Sequence, residues 1–269
     1  MKIRESTEQK VSHTMATAKE LYSFLDSVFP KSLSCAWDND GAMCMSDPER
    51  DVKRVLVALD VTMGAVDYAI ANGFDVIVSH HPLIFTPMRS INGCDVKSRV
   101  ITKLMRNGIS AFSFHTRLDA ANGGVNDTLC EALGIQNVEP FLLGGESLAR
   151  VGTIDPISGK ELALLVKEKL SCDGVSYTCP DKTVSKVVLV GGAGKDFIDA
   201  TLDSFADALI TGEVSYNAAI DAADSGLCLI CAGHFFTENP VLASLEKQII
   251  AFDPEIKVES YNSNLLKQI

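Results

Sequence analysis

The chain has 269 residues, 46% apolar and 22% charged, a composition that buries a sizeable core and excludes a disordered chain. Its formal net charge of −11 argues against general nucleic-acid binding, which needs basic residues clustered on one face. No apolar run reaches the roughly 18 residues of a membrane span, and the polar opening Met1–Lys10 lacks the apolar core of a secretory signal.

Residues 1–14 are polar and aperiodic and are expected to form an N-terminal extension. Thr17-Ala-Lys-Glu20 is a capping box, opening a helix that carries Leu21, Phe24, Leu25 and Val28 on one stripe and stops at Pro30. Trp37-Asp-Asn-Asp-Gly41 has turn chemistry. An alternation follows: strand 55–59, helix 63–72 closed by Gly73, strand 76–79, helix 96–107 closed by Gly108, strand 109–114, and helix 126–133 closed by Gly134. Residues 135–147 are expected to be a loop and the softest boundary. Then come strand 148–154, helix 160–170, strand 186–190, helix 196–205, strand 208–211, helix 214–224, strand 227–232 and a helix over 239–251 begun by Asn239-Pro240. The strands are apolar throughout rather than alternating, so they read as buried and the fold as α/β. The expected division is a first lobe over 15–134, completed by 226–269, and a second over 135–225.

Four of the five histidines stand where strands are expected to end: His80 and His81 after Val76-Ile-Val-Ser79, His115 after Phe114, and His234 after Ala232-Gly233. In open α/β sheets ligands gather at such ends. Pro82 keeps the His80–His81 pair extended, so the rings diverge and each can serve a different ion. Asp119 follows His115 by four residues and leads into a Gly- and Asn-rich stretch; capping the next turn is its alternative role. His115 reads as a ligand or as a partner orienting one. Glu238, at or just before the last helix, either compensates the helix dipole or bridges two cations. Imidazole nitrogen and carboxylate oxygen without thiolate suit two divalent ions of the Zn, Fe, Mn, Co or Ni type.

Other signals carry less. Val190-Gly-Gly-Ala-Gly194-Lys195 departs from the phosphate-loop pattern, because Asp196 stands where Ser or Thr is required, so a tight turn is expected, with anion binding as a weaker role. Cys228-Leu-Ile-Cys231 lies in an apolar run, and positions three apart on a strand face opposite ways. All eight cysteines are therefore expected as free thiols in a reducing cytoplasm.

Taken in order, Trp37-Asp-Asn-Asp-Gly41, Ser79-His-His-Pro82, His115–Asp119 with Gly123–Asp127, Gly191–Gly194, Ile210–Glu213 and Gly233-His234 with Thr237-Glu238 resemble the GTP cyclohydrolase I type 2 homolog family, the NIF-three-like proteins. The resemblance spans Thr17 to the C-terminus. It implies a two-lobed α/β subunit, a toroidal homohexamer and a dinuclear metal centre ligated by His80, His81, Asp119, His234 and a bridging Glu238. A small molecule or nucleotide is the implied substrate, although no guanine-reading motif is present. The chain lacks the long central insertion of some relatives and carries Ala42 and Arg117 where the family has other residues. Arg117 is expected to place a positive charge near the metals. The expected activity is metal-dependent hydrolysis; the rivals are a phosphoesterase on nucleotides and a non-catalytic metal-binding assembly.

Overall fold

The computed structural model describes residues 15–267; the expected extension 1–14 lies outside them. The first stretch runs α1 (Ala18–Val28), β1 (Gly41–Cys44), β2 (Arg54–Ala58), α2 (Met63–Ala71), β3 (Val76–Ser79), α3 (Val96–Arg106), β4 (Ser110–Ser113), α4 (Thr116–Ala120) and α5 (Val125–Leu133). The Thr17–Glu20 capping box is formed in both directions. Gly73, Gly108 and Gly134, each just past a helix, all have positive φ, the left-handed geometry that ends a helix at little cost in glycine.

The second stretch runs β5 (Gln136–Leu143), β6 (Glu146–Ser158), α6 (Gly159–Lys169), β7 (Ser176–Tyr177), β8 (Thr183–Ala193), α7 (Ile198–Asp203), β9 (Ala208–Glu213), α8 (Tyr216–Asp224), β10 (Cys228–Cys231) and α9 (His234–Glu238). Finally α10 (Val241–Phe252) and β11 (Lys257–Tyr261) close the chain. The expected helix 196–205 is divided into a 3-10 turn over Lys195–Phe197 and α7.

Two sheets result. The first has order β1-β4-β3-β2-β11, the last four strands parallel and β1 antiparallel to β4. The second has order β5-β6-β8-β9-β10-β7, with β8, β9 and β10 parallel. Because β10 pairs with β9, the chain returns to the first sheet at α10 and not at residue 226, as the lobe boundary supposed. Residues 135–147 are not a loop: β5 pairs with β6 as an edge strand. Its exposure and Pro140 suit an edge, and the proline breaks Val138 from the short run Phe141–Leu143, leaving no long apolar stretch to read.

Both faces of each sheet are covered. Leu21, Leu25 and Phe29 of α1 and its C-cap, with Leu245 and Ile249 of α10, pack on one face of the first sheet. Val66 and Ala69 of α2, with Leu104 of α3, pack on the other. Each fully buried large apolar side chain contributes about 1.5–3 kcal/mol, so strand identity here is enforced by burial more than by propensity. Cys228 and Cys231 do face opposite ways, into different cores of the second sheet, and all eight cysteines are free. Among the described residues no helix is long and apolar enough to cross a membrane.

Candidate metal centre

The carboxyl ends of the parallel strands bring the histidines together. His80 and His81 follow β3, His115 follows β4, and His234 opens α9 beyond β10. The one-turn helix α9 puts His234 and Glu238 four residues apart on one face, with His234 Nε2 3.1 Å from Glu238 Oε1. The sequence reading had Glu238 at the start of the last helix; the His-x-x-x-Glu spacing was the available signal for a separate turn. Glu238 is nearly fully buried and faces three imidazoles: its Oε1 lies 3.7 Å from His80 Nε2, and its Oε2 3.0 Å from His81 Nε2. The His80 and His81 rings thus meet different oxygens of one carboxylate. Asp119, in α4 rather than a loop, has Oδ1 3.7 Å from His80 Nε2.

Every one of these four imidazoles is held from behind by its Nδ1. His80 Nδ1 lies 3.0 Å from the Phe114 carbonyl, and His81 Nδ1 2.9 Å from Asp60 Oδ1. His115 Nδ1 lies 2.9 Å from Asp38 Oδ1, and His234 Nδ1 3.1 Å from Glu213 Oε1. Each acceptor oxygen holds a proton on Nδ1, so once a ring gives up its second proton, as metal binding requires, it is Nε2 that offers a lone pair to the cleft. Asp38 also accepts from the Thr116 backbone N–H and hydroxyl, and these bonds with His115 hold its carboxyl below the usual carboxylate range against the effect of burial.

Two donor groups emerge, each with ligand atoms mutually within 4.8 Å: His80, His81 and His115, and His81, His234 and Glu238. His81 belongs to both. His80 Nε2 and Glu238 Oε2 are buried without a hydrogen-bond partner; the 3.0 Å approach of Oε2 to His81 Nε2 is close but not aligned for one. Orphaned buried polar atoms normally cost about 1–3 kcal/mol each, and the nitrogen and oxygen lone pairs of these two fit a divalent cation.

The electrostatics agree. Burial opposes the charged form of Glu238, but His80, His234 and His81 outweigh it and hold its carboxyl well below the usual range. Burial and then the Glu238 charge push Asp119 well above that range. Burial lowers His80, whereas for His81 burial is outweighed by the bond to Asp60 and the nearby Glu238 and Asp60 charges, and it rises to about 10. His234 rises to about 9, first through Glu238.

Gly192 is part of the cradle. Its φ is +67°, and a Cβ there would collide with Glu238 Oε1 and press on His234 Nε2. The glycine run is not an anion cradle, because its N–H groups are engaged internally. Gly191 donates to Asn126 Oδ1, Gly192 to Thr237 Oγ1 and Gly194 to the Glu213 carbonyl.

Arg117 departs from expectation. Its guanidinium is fully buried and turned toward Asp26 Oδ1 at 2.7 Å, Asp40 Oδ2 at 3.1 Å and the Phe29 carbonyl at 2.8 Å. The paired carboxylates neutralise it, so it braces α1 and the 38–40 turn and offers no charge to the centre. Sequence reading missed Asp60 altogether, and it took Asp38 only as turn chemistry. Their placement just beyond β2 and just before β1 was the one available hint.

A family model described as Duf34/NIF3 (NGG1p interacting factor 3) matches residues 16–267, essentially the whole described chain. The chain belongs to the Duf34/NIF3 family. Among Duf34/NIF3 relatives, a GTP cyclohydrolase 1 type 2 homolog of Clostridium perfringens is 30% identical over 240 residues, covering 86% of this chain and 90% of its own. A Protein NIF3 homolog of Schizosaccharomyces pombe is 30% identical over 250 residues, covering 87% and 89%. The crystal structure of a Bacillus cereus protein related to NIF3 superposes with a TM-score of 0.85 at 23% identity, covering 95% of this chain and 100% of that one.

Proposed function

We propose that this Duf34/NIF3 chain is a metal-dependent hydrolase acting on a small molecule or nucleotide. Two divalent cations of the Zn, Fe, Mn, Co or Ni type are held among His80, His81, Asp119, His234 and Glu238, with His115 in support. The observation that carries this is the shared orientation of the imidazoles, each anchored through Nδ1 on an oxygen acceptor. Three of them turn Nε2 toward Glu238. Such backing is what metal-ligating histidines carry, and the convergence of three backed rings on one buried carboxylate is what sets these apart from singly hydrogen-bonded core histidines.

Glu238 would be the ligand shared by the two cations in this reading, since its two oxygens face different imidazoles. Cations bound there would polarise the scissile bond and lower the pKa of an attacking water toward neutrality. The chain's own groups do the rest. Asp60, Asp38 and Glu213 hold three rings in the ligating tautomer. The backbone of Gly192 closes the cleft against Glu238. The relatives' description as GTP cyclohydrolase 1 type 2 homologs extends the reading to opening of the purine ring of GTP. Phosphoester or amide-like bonds are served by the same chemistry.

A homo-oligomer, hexameric by family resemblance, belongs to the same reading. The edge strand β5 leaves Val138 and Leu142 facing solvent, a surface a second copy would cover. We place the protein in the cytoplasm, where its free cysteines stay reduced.

Elemental analysis of protein dialysed against each cation, beside a nucleotide and phosphoester turnover screen, tests the proposal. The wild type should bind two ions per chain, and Glu238→Gln, which cannot bridge, should lose at least one of them and all turnover. Full metal content in Glu238→Gln, or none in the wild type, would overturn the site. Stoichiometric metal without turnover would favour a non-catalytic assembly.

A further inference from the structure

Beside the imidazole cluster stand two large aromatic side chains that the core does not use. Trp37 is 60% exposed and Phe85 45%. Both lie edge-on to His115, with ring centroids at 6.4 and 6.0 Å, and 6.1 Å from each other. The three rings are mutually near perpendicular, at 75°, 79° and 88°, so they form a corner rather than a stack. In each such contact one ring's edge meets another's face, and the exposed remainder of Trp37 and Phe85 is left for a planar guest.

The loops carrying these rings are fixed. Cys35 N–H donates to Thr116 Oγ1 at 3.0 Å, and the Thr116 N–H donates to Asp38 Oδ2 at 3.0 Å, pinning the chain on both sides of Trp37. Asn39 Nδ2 donates to the Ile84 carbonyl, tying the Trp37 loop to the Phe85 loop. An indole held by a rigid backbone, yet left more than half exposed beside a candidate centre, is a prepared contact surface.

We propose that Trp37 and Phe85 form a platform on which a planar heteroaromatic ring of the substrate stacks, placing its reactive bond against the imidazole cluster. This rests on the hydrolase reading of that cluster, which the platform would supply with its substrate class. Stacking is tolerant of ring identity because every base has a π-face, so no hydrogen-bonding guanine motif is needed. Trp37 is the platform's main face, being the larger and more exposed ring. Phe85 contributes the flanking edge.

Trp37 is the only tryptophan in the chain, so its emission reports on this position alone. Guanosine or adenosine, with excitation at the red edge of the indole band, should quench it saturably. Ribose 5-phosphate, which has no aromatic ring, should not. In equilibrium dialysis Trp37→Leu should weaken nucleoside binding about tenfold, the scale of one base–aromatic stack. Trp37→Phe should retain most of the affinity, and Phe85→Leu should lose less than Trp37→Leu. Circular dichroism confirms folding of each variant, and elemental analysis confirms that Trp37→Leu keeps its metal. Absence of saturable quenching, equal quenching by ribose 5-phosphate, or unchanged nucleoside affinity in a folded Trp37→Leu would each overturn the platform. So would an emission already buried by self-association and unresponsive to nucleosides. Nucleoside dialysis on metal-free protein separates the two readings: a protein that stacks nucleosides but takes up no metal keeps the platform and loses the hydrolase.

Discussion

Asp60→Ala probes how far the backing of the imidazoles sets metal affinity. Asp60 Oδ1 holds His81 Nδ1 at 2.9 Å, and His81 is the imidazole shared by both donor groups. Without the carboxylate the ring can rotate and its proton can move to Nε2, removing the lone pair from the cleft. Loss of such an outer partner costs about 10–100-fold in metal affinity, or about 1.4–2.7 kcal/mol. The Asp60 side chain is 45% exposed, so water replaces part of the bond and the expected loss lies at the lower end, about tenfold. Glu213→Ala should cost less again, because Glu213 is 62% exposed and its bond to His234 is 3.1 Å. Competition with a chromophoric chelator at fixed pH measures both. An Asp60→Ala affinity within about twofold of wild type, or a larger loss in Glu213→Ala, would refute the argument.

In metal-free protein His81 and His234 stand at about 10 and about 9, against an ordinary 6.5. Their stabilisation is therefore complete below about pH 6.5 and is lost as pH rises through 9 and 10. Thermal midpoints of stripped protein should fall from pH 7 to 10, and with saturating cation, which displaces those protons, the trend should reverse; a flat profile without metal would contradict both assignments. Arg117→Met leaves the buried Asp40 with Lys31, Ser34 and the His115 backbone N–H, and should destabilise by about 3 kcal/mol in urea denaturation. A loss below about 1 kcal/mol would mean the carboxylates find other partners.

The buried parallel strands and the glycine-closed helices were legible because burial and left-handed caps leave local marks. The strand-end histidines were legible for the same reason. What backs them was not: Asp38 reaches His115 across 77 residues, and only the pairing of β1 with β4 brings them together. Arg117 shows the same limit, since its direction is set by Asp26 and Asp40, 91 and 77 residues earlier. β5 and β11 escaped notice because both are largely exposed edges, β5 interrupted by Pro140, and β11 finds its register only against β2.

Glu238 rides on a turn packed against the second sheet, while His80 and His81 spring from the first. Any ion they share therefore acts as a clasp between the two halves of the molecule. Its binding free energy is then also energy of closure. Proteolytic nicking at the joints should become slower once the clasp is fastened.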